Sequence, residues 1–110
     1  QEKQKATVKI NNKKKFSKSK LTVKFLSLVE DSRCPQGVDC IWAGNAQIKV
    51  EISNGTTKET FVMNTNTGPK GASFSGFAIY LTELTPYPKA NVKYAANAYK
   101  ATFEILRLSR

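Results

Sequence analysis

Cys34 and Cys40 are separated by Pro-Gln-Gly-Val-Asp, a spacing too long for a C-x-x-C redox pair. Pro35 and Gly37 favour a tight turn that brings the two sulfurs together. A disulfide closing so short a loop contributes roughly 2 kcal/mol through loop entropy; the alternative is a pair of buried free thiols. A disulfide belongs to an oxidising compartment, so the expected location is periplasmic or secreted. Three carboxylates, Glu30, Asp31 and Asp39, flank this loop. A carboxylate pair could do hydrolytic chemistry or hold Ca²⁺ through oxygen ligands. Yet no EF-hand spacing is present, and acids at a loop base ordinarily bond nearby backbone amides or, here, Arg33. The chain contains no histidine, which removes Ser-His-Asp and Cys-His catalysis and nearly all zinc or copper sites. No phosphate-cradling glycine motif is present either. These residues point away from an enzyme, a metal site and a cofactor.

Charge is the second source of chemistry. The net charge is +10, and residues 1–24 hold nine lysines against a single acid, Glu2. Lys13, Lys14, Lys15, Lys18 and Lys20 are the expected charged contacts to a partner. Nucleic acid is a poor fit, because base stacking needs interleaved aromatics and only Phe16 is present. An acidic protein surface, an anionic glycan or the headgroup face of a membrane fits both charge and compartment. The plain alternative is solubility and protection of an edge strand by its lysines. Tyr87, held between Pro86 and Pro88, is the expected exposed aromatic contact. Trp42, the only tryptophan, is expected to pack in the core against the disulfide rather than to serve as an exposed anchor.

The elements that position these residues read as strands. Ala46, Ile48, Val50 and Ile52 alternate with polar residues, and Asn54-Gly55 follows as a hairpin turn. A two-residue turn would pair Ser53 with Thr56, Ile52 with Thr57, Val50 with Glu59, Ile48 with Phe61 and Ala46 with Met63. Glu51 would then lie opposite Lys58. Ala6 to Ile10 and Leu21 to Val29 read as strands, with a bulge where the phase blurs at Phe25-Leu26. A turn at Asn11-Asn12-Lys13 would connect them. Phe77 to Leu81 begins a strand that must end by Pro86. Tyr99 to Ile105 forms the last strand, extended by Leu106 and Leu108 in a shifted phase. Residues 64–76 and 86–98 read as irregular connections, the kind that carry function. The expected fold is one all-β domain over 1–110, an antiparallel sandwich of about six to seven strands with one short-loop disulfide. No stretch approaches the ~20 apolar residues of a membrane span. The chain opens at Gln1 without a charged-then-apolar leader, as a mature protein does after signal-peptide removal; the alternative is a trimmed chain. Position 1 is not cysteine, so an acylated N-terminus is not supported.

Asp31-Ser32-Arg33-Cys34-Pro35, followed by Cys40-Ile41-Trp42-Ala43-Gly44, is distinctive. With Leu81 to Pro88 and the strand after Tyr99, it resembles a group of small exported bacterial proteins and lipoproteins, short all-β domains of unknown function. The resemblance spans residues 20–110, and the two-cysteine motif is its specific part. It implies export and the disulfide, and brings no catalytic residues. The lysine-rich stretch is not part of it. The expected function is a non-enzymatic binding or accessory module that engages an acidic protein or envelope surface. One concrete form is a small soluble subunit docked on, or occluding, an outer-membrane complex. The alternatives are a structural or adhesive sandwich that self-assembles or binds anionic glycan, and an enzyme working through the carboxylates near the disulfide loop.

Overall fold

The alternating stretches fold as strands, and the structure, a computed structural model, describes residues 3–108. Gln1 and Glu2 of the basic segment lie outside the described residues. Eight strands run in chain order: β1 (Lys3–Lys9), β2 (Lys13–Phe16), β3 (Leu21–Asp31), β4 (Ala46–Ser53), β5 (Lys58–Asn64), β6 (Gly71–Phe74), β7 (Phe77–Thr85) and β8 (Lys100–Arg107). They form two four-stranded antiparallel sheets, ordered β1-β8-β7-β6 and β2-β3-β4-β5. The chain changes sheet between β1 and β2 and between β5 and β6, so those edge strands lie side by side at the two margins. Between the sheets lie Phe25, Ile48, Val50, Ile52 and Met63 from one side, and Val8, Ile79, Leu84, Phe103 and Ile105 from the other, all nearly free of solvent. Full burial of each such side chain stabilises by about 1.5–3 kcal/mol. This is the expected sandwich.

The eight strands exceed the expected six or seven, and β2 and β6 are the additions. β2 is too short, and too uniformly lysine, to show alternation; the turn placed at Asn11-Asn12-Lys13 is in fact the sheet crossover, and Lys13 opens β2. β6 lies inside the stretch read as irregular. Its Gly-Ala-Ser-Phe sequence has no strand signature, and it is held as a strand by pairing with Phe77 to Tyr80 of β7.

The hairpin between β4 and β5 also differs in register. Ser53 pairs with Lys58, Ile52 with Glu59, Val50 with Phe61 and Ile48 with Met63. The cause is Asn54, whose Oδ1 accepts the amides of Thr56 and Thr57 at 2.9 and 2.8 Å. With Gly55 at φ +91° and Asn54 N–H donating to the Thr57 carbonyl at 3.1 Å, the connection takes four residues rather than two. The slip is two residues, so every side chain keeps its face. Glu51 faces Thr60 instead of Lys58 and, on its other side, lies opposite Lys24 of β3. The bulge expected near Phe25-Leu26 is present, and a second follows between Leu28 and Glu30. β7 ends at Thr85, before Pro86.

Candidate functional site

The five lysines singled out from the sequence share one margin of the sandwich. Lys13, Lys14 and Lys15 belong to edge strand β2, and Lys18 and Lys20 sit in the turn that returns the chain to β3. Lys20 donates its amide to the Phe16 carbonyl at 2.7 Å and itself takes φ 61° to close that turn. Alternation then sorts the side chains. Lys13 and Lys15 fall on the outer row, opposite Lys24 and Thr22. Lys14 falls on the row of Phe16, opposite Val23, where a lysine at an edge blocks pairing with a neutral strand. β1 lies alongside and contributes Lys5, so that Lys5, Lys14, Lys15 and Lys18 line one cleft of about 310 Å³. Among the described residues, no carboxylate lines it. Gln4 lines it too, and its Oε1 is a buried acceptor without a hydrogen-bond partner.

Tyr87 stands apart from these lysines. The 17–20 turn shares its end of the sandwich with the 54–57 loop and the Ser75-Gly76 turn, through the Thr22–Ser53 pair and a 3.3 Å bond from Asn54 to Ser75. Tyr87 lies at the opposite end, beyond the Thr85–Lys100 pair. The charged and aromatic contacts expected from the sequence are therefore two surfaces, not one.

What Tyr87 does meet is Arg33. The guanidinium carbon lies 4.9 Å from the ring centroid, a cation–π stack. Nε and Nη2 bind both oxygens of Asp31 at 2.8 and 2.7 Å, while Nη1 and Nη2 also donate to the Leu84 and Pro86 carbonyls at 2.6 and 2.9 Å. Both side chains are buried, 9% and 11% exposed. Arg33 thus fastens the end of β3 in one sheet to the end of β7 in the other. The expectation that an acid at the loop base would bond Arg33 holds for Asp31. Glu30 instead sits exposed on β3, paired with Gln47. Among the described residues, no three acidic, histidine or cysteine side chains are grouped to hold a metal ion.

The two-cysteine motif is one structural unit. The Cys34–Cys40 disulfide is formed, with Cα atoms 5.9 Å apart. Ser32 bonds Asn45 through backbone and side chain, at 2.7, 2.9 and 3.2 Å. Gly44 is pressed against the Ser32 and Arg33 backbone. Asn45, nearly buried, accepts the Asn66 and Thr67 amides with Oδ1 and donates to Asn64, ordering the loop that follows β5. A cleft of about 370 Å³ opens between this loop, Arg33, Gly44, Leu84 and Tyr87.

Trp42 corrects the sequence reading. It is 55% exposed, not core. Its indole N–H donates to the Ser32 carbonyl at 3.0 Å, which fixes the ring at the surface beside the disulfide loop instead of beneath it. Ile41, Val38 and Val92 are exposed at the same end, and sequence reasoning had not singled them out. The one available signal was apolar residues in loops with no strand periodicity to bury them.

Tyr99 packs against the core near Asp31 and Arg33. Burial, then the Asp31 carboxylate, raises its phenol pKa above the ordinary 10.0. A raised folded value favours the protonated form in the native state. Its stabilising contribution is therefore complete below pH 10 and is lost as pH rises through the folded value. Urea midpoints measured from pH 9 to 11.5 should fall more steeply for the native chain than for Tyr99→Phe. Parallel curves would show that the phenol is not linked to folding.

Comparison with protein-family models, with curated proteins and with solved structures finds no significant match to this chain.

Proposed function

We propose that this chain is a non-enzymatic, exported binding module whose basic margin engages an acidic protein or an anionic envelope surface. One form of it is a small accessory subunit docked on an outer-membrane complex. The observation that carries the reading is the β1–β2 cleft, where four lysines converge from two edge strands and a turn. Lysines gathered this closely raise the local positive potential, and an anionic partner is drawn to it. Lys13, directly opposite Lys24 on the outer row, adds to the same field. The disulfide supports an oxidising compartment, and no helix among the described residues is long and apolar enough to cross a membrane.

Strand addition between copies, the route to a self-assembling module, is disfavoured at this margin. Lys14 on the inward row of β2 would meet the like charge of an incoming copy.

Gentle cross-linking in the native envelope, followed by mass spectrometry, should recover a dominant acidic partner, and added salt should release it. Joint replacement of Lys13, Lys14 and Lys15 by alanine should weaken that capture roughly tenfold or more. The unfolding midpoint should change little, because all three side chains are exposed. Capture that survives both the substitutions and high salt would refute the charge-led reading.

A further inference from the structure

The described residues leave nine large apolar side chains strongly exposed, and five of them are gathered on two loops at the disulfide end: Val38, Ile41, Trp42, Tyr87 and Val92. These loops are tied together. Gln36 donates its amide to the Pro88 carbonyl at 2.9 Å and accepts that of Ala90 at 3.2 Å, and the Arg33 contacts with Leu84 and Pro86 lie directly behind. The disulfide closes one loop on itself. Ile41 is 99% exposed, and it is held between Cys40 and a Trp42 whose indole is bonded to Ser32. Collapse onto the domain therefore cannot relieve the exposure. An apolar side chain fixed outward, with a half-exposed tryptophan beside it, is arranged for a second phase.

Charge indicates which phase. Lys89 and Lys93 are exposed and are the only charged residues in 86–98. They bracket Val92, and Lys89 follows Tyr87 by two residues. Asp39 is the one exposed acid on the disulfide loop. A second copy of this +10 chain would bring like charges together. An anionic lipid surface meets both features: acyl chains take the aliphatic side chains, the headgroup layer takes tryptophan and tyrosine, and phosphates take lysine.

We infer that the disulfide end is a shallow insertion surface for an anionic bilayer, with Ile41 and Val38 entering the acyl boundary, Trp42 and Tyr87 at the headgroup level, and Lys89 and Lys93 on lipid phosphates. The surface is distinct from the lysine cleft and stands or falls independently of it.

Trp42, as the only tryptophan, reports directly from this surface. The full chain, titrated with phosphatidylglycerol vesicles, should show a blue shift in emission and protection from acrylamide, with much less change on phosphatidylcholine vesicles. Ile41→Asp should reduce partitioning at least tenfold with an unchanged unfolding midpoint, since the side chain touches little. Joint Lys89→Gln and Lys93→Gln should cut the Trp42 blue shift on phosphatidylglycerol vesicles several-fold. Val62→Asp, at an exposed apolar site on β5, should leave the shift intact. Vesicle sedimentation without an emission change would place lipid binding elsewhere on the chain and overturn the assignment. So would wild-type partitioning by Ile41→Asp, an equal response to both lipids, or no vesicle response at all, the result expected if this end serves a protein pocket instead.

Discussion

Arg33→Ala is expected to lower the unfolding free energy by about 3–5 kcal/mol, the range for removing one partner of a buried ion pair. The loss has several parts on one side chain. Asp31 keeps its charge at 11% exposure with no cation, the Leu84 and Pro86 carbonyls lose their donor, and Tyr87 loses the guanidinium over its ring. Lysine should not rescue the variant. A single ammonium cannot reproduce a planar fork that binds a carboxylate in two places and two carbonyls besides. Replacing Arg33 and Asp31 together by apolar residues of similar volume should recover much of the loss, because no orphaned charge is then left behind. Urea denaturation of the four chains gives the comparison. A cost below about 1 kcal/mol for Arg33→Ala would mean that the pair behaves as an exposed surface bridge.

Gly44→Ala should be nearly as damaging, at about 3 kcal/mol, from left-handed backbone strain together with overpacking. Gly44 adopts φ +80°, and a Cβ there would stand 2.6 Å from the Ser32 carbonyl oxygen and 2.7 Å from the Arg33 Cα. Both obstacles are backbone, in a segment already pinned by the disulfide and by the Ser32–Asn45 bonds, so neither yields cheaply. Gly55 provides the control. It has φ +91° but nothing within 4 Å of its would-be Cβ, so Gly55→Ala should cost only the conformational share, about 1–2 kcal/mol. Equal midpoints for the two variants would show that the close approach at Gly44 is immaterial.

Legibility followed the length of the pattern. β4, β7 and β8 announce themselves because apolar residues recur every second position over several residues, and a buried face enforces that spacing. β2 and β6, four residues each, are too short to carry a period and exist as strands because longer neighbours pair with them. The hairpin was readable in face but not in register. Asn54-Gly55 signals a turn, yet whether Asn54 enters the turn backbone or bonds ahead with its side chain is a local competition that composition does not decide. Of the surface residues, the lysines were legible as a cluster because they adjoin in sequence. Trp42 was misplaced because its size argues for burial, whereas its position is set by one hydrogen bond to Ser32 across the motif. The separation of Tyr87 from the lysines, and its meeting with Arg33, depend on which strands share a sheet, a long-range outcome that local pattern does not contain.

The strand order also sets the timing of assembly. β1 pairs with β8 along its whole length, Lys3 with Leu106 through Lys9 with Lys100. The first strand of the chain therefore has no hydrogen-bonding partner until the last has been made. Every other pairing in the two sheets joins strands that are consecutive in the chain. Closing a sheet across nearly the full chain gives this domain a high contact order, and folding on the millisecond-to-second scale typical of sandwiches. A nascent chain that must wait for its far end stays open for longer.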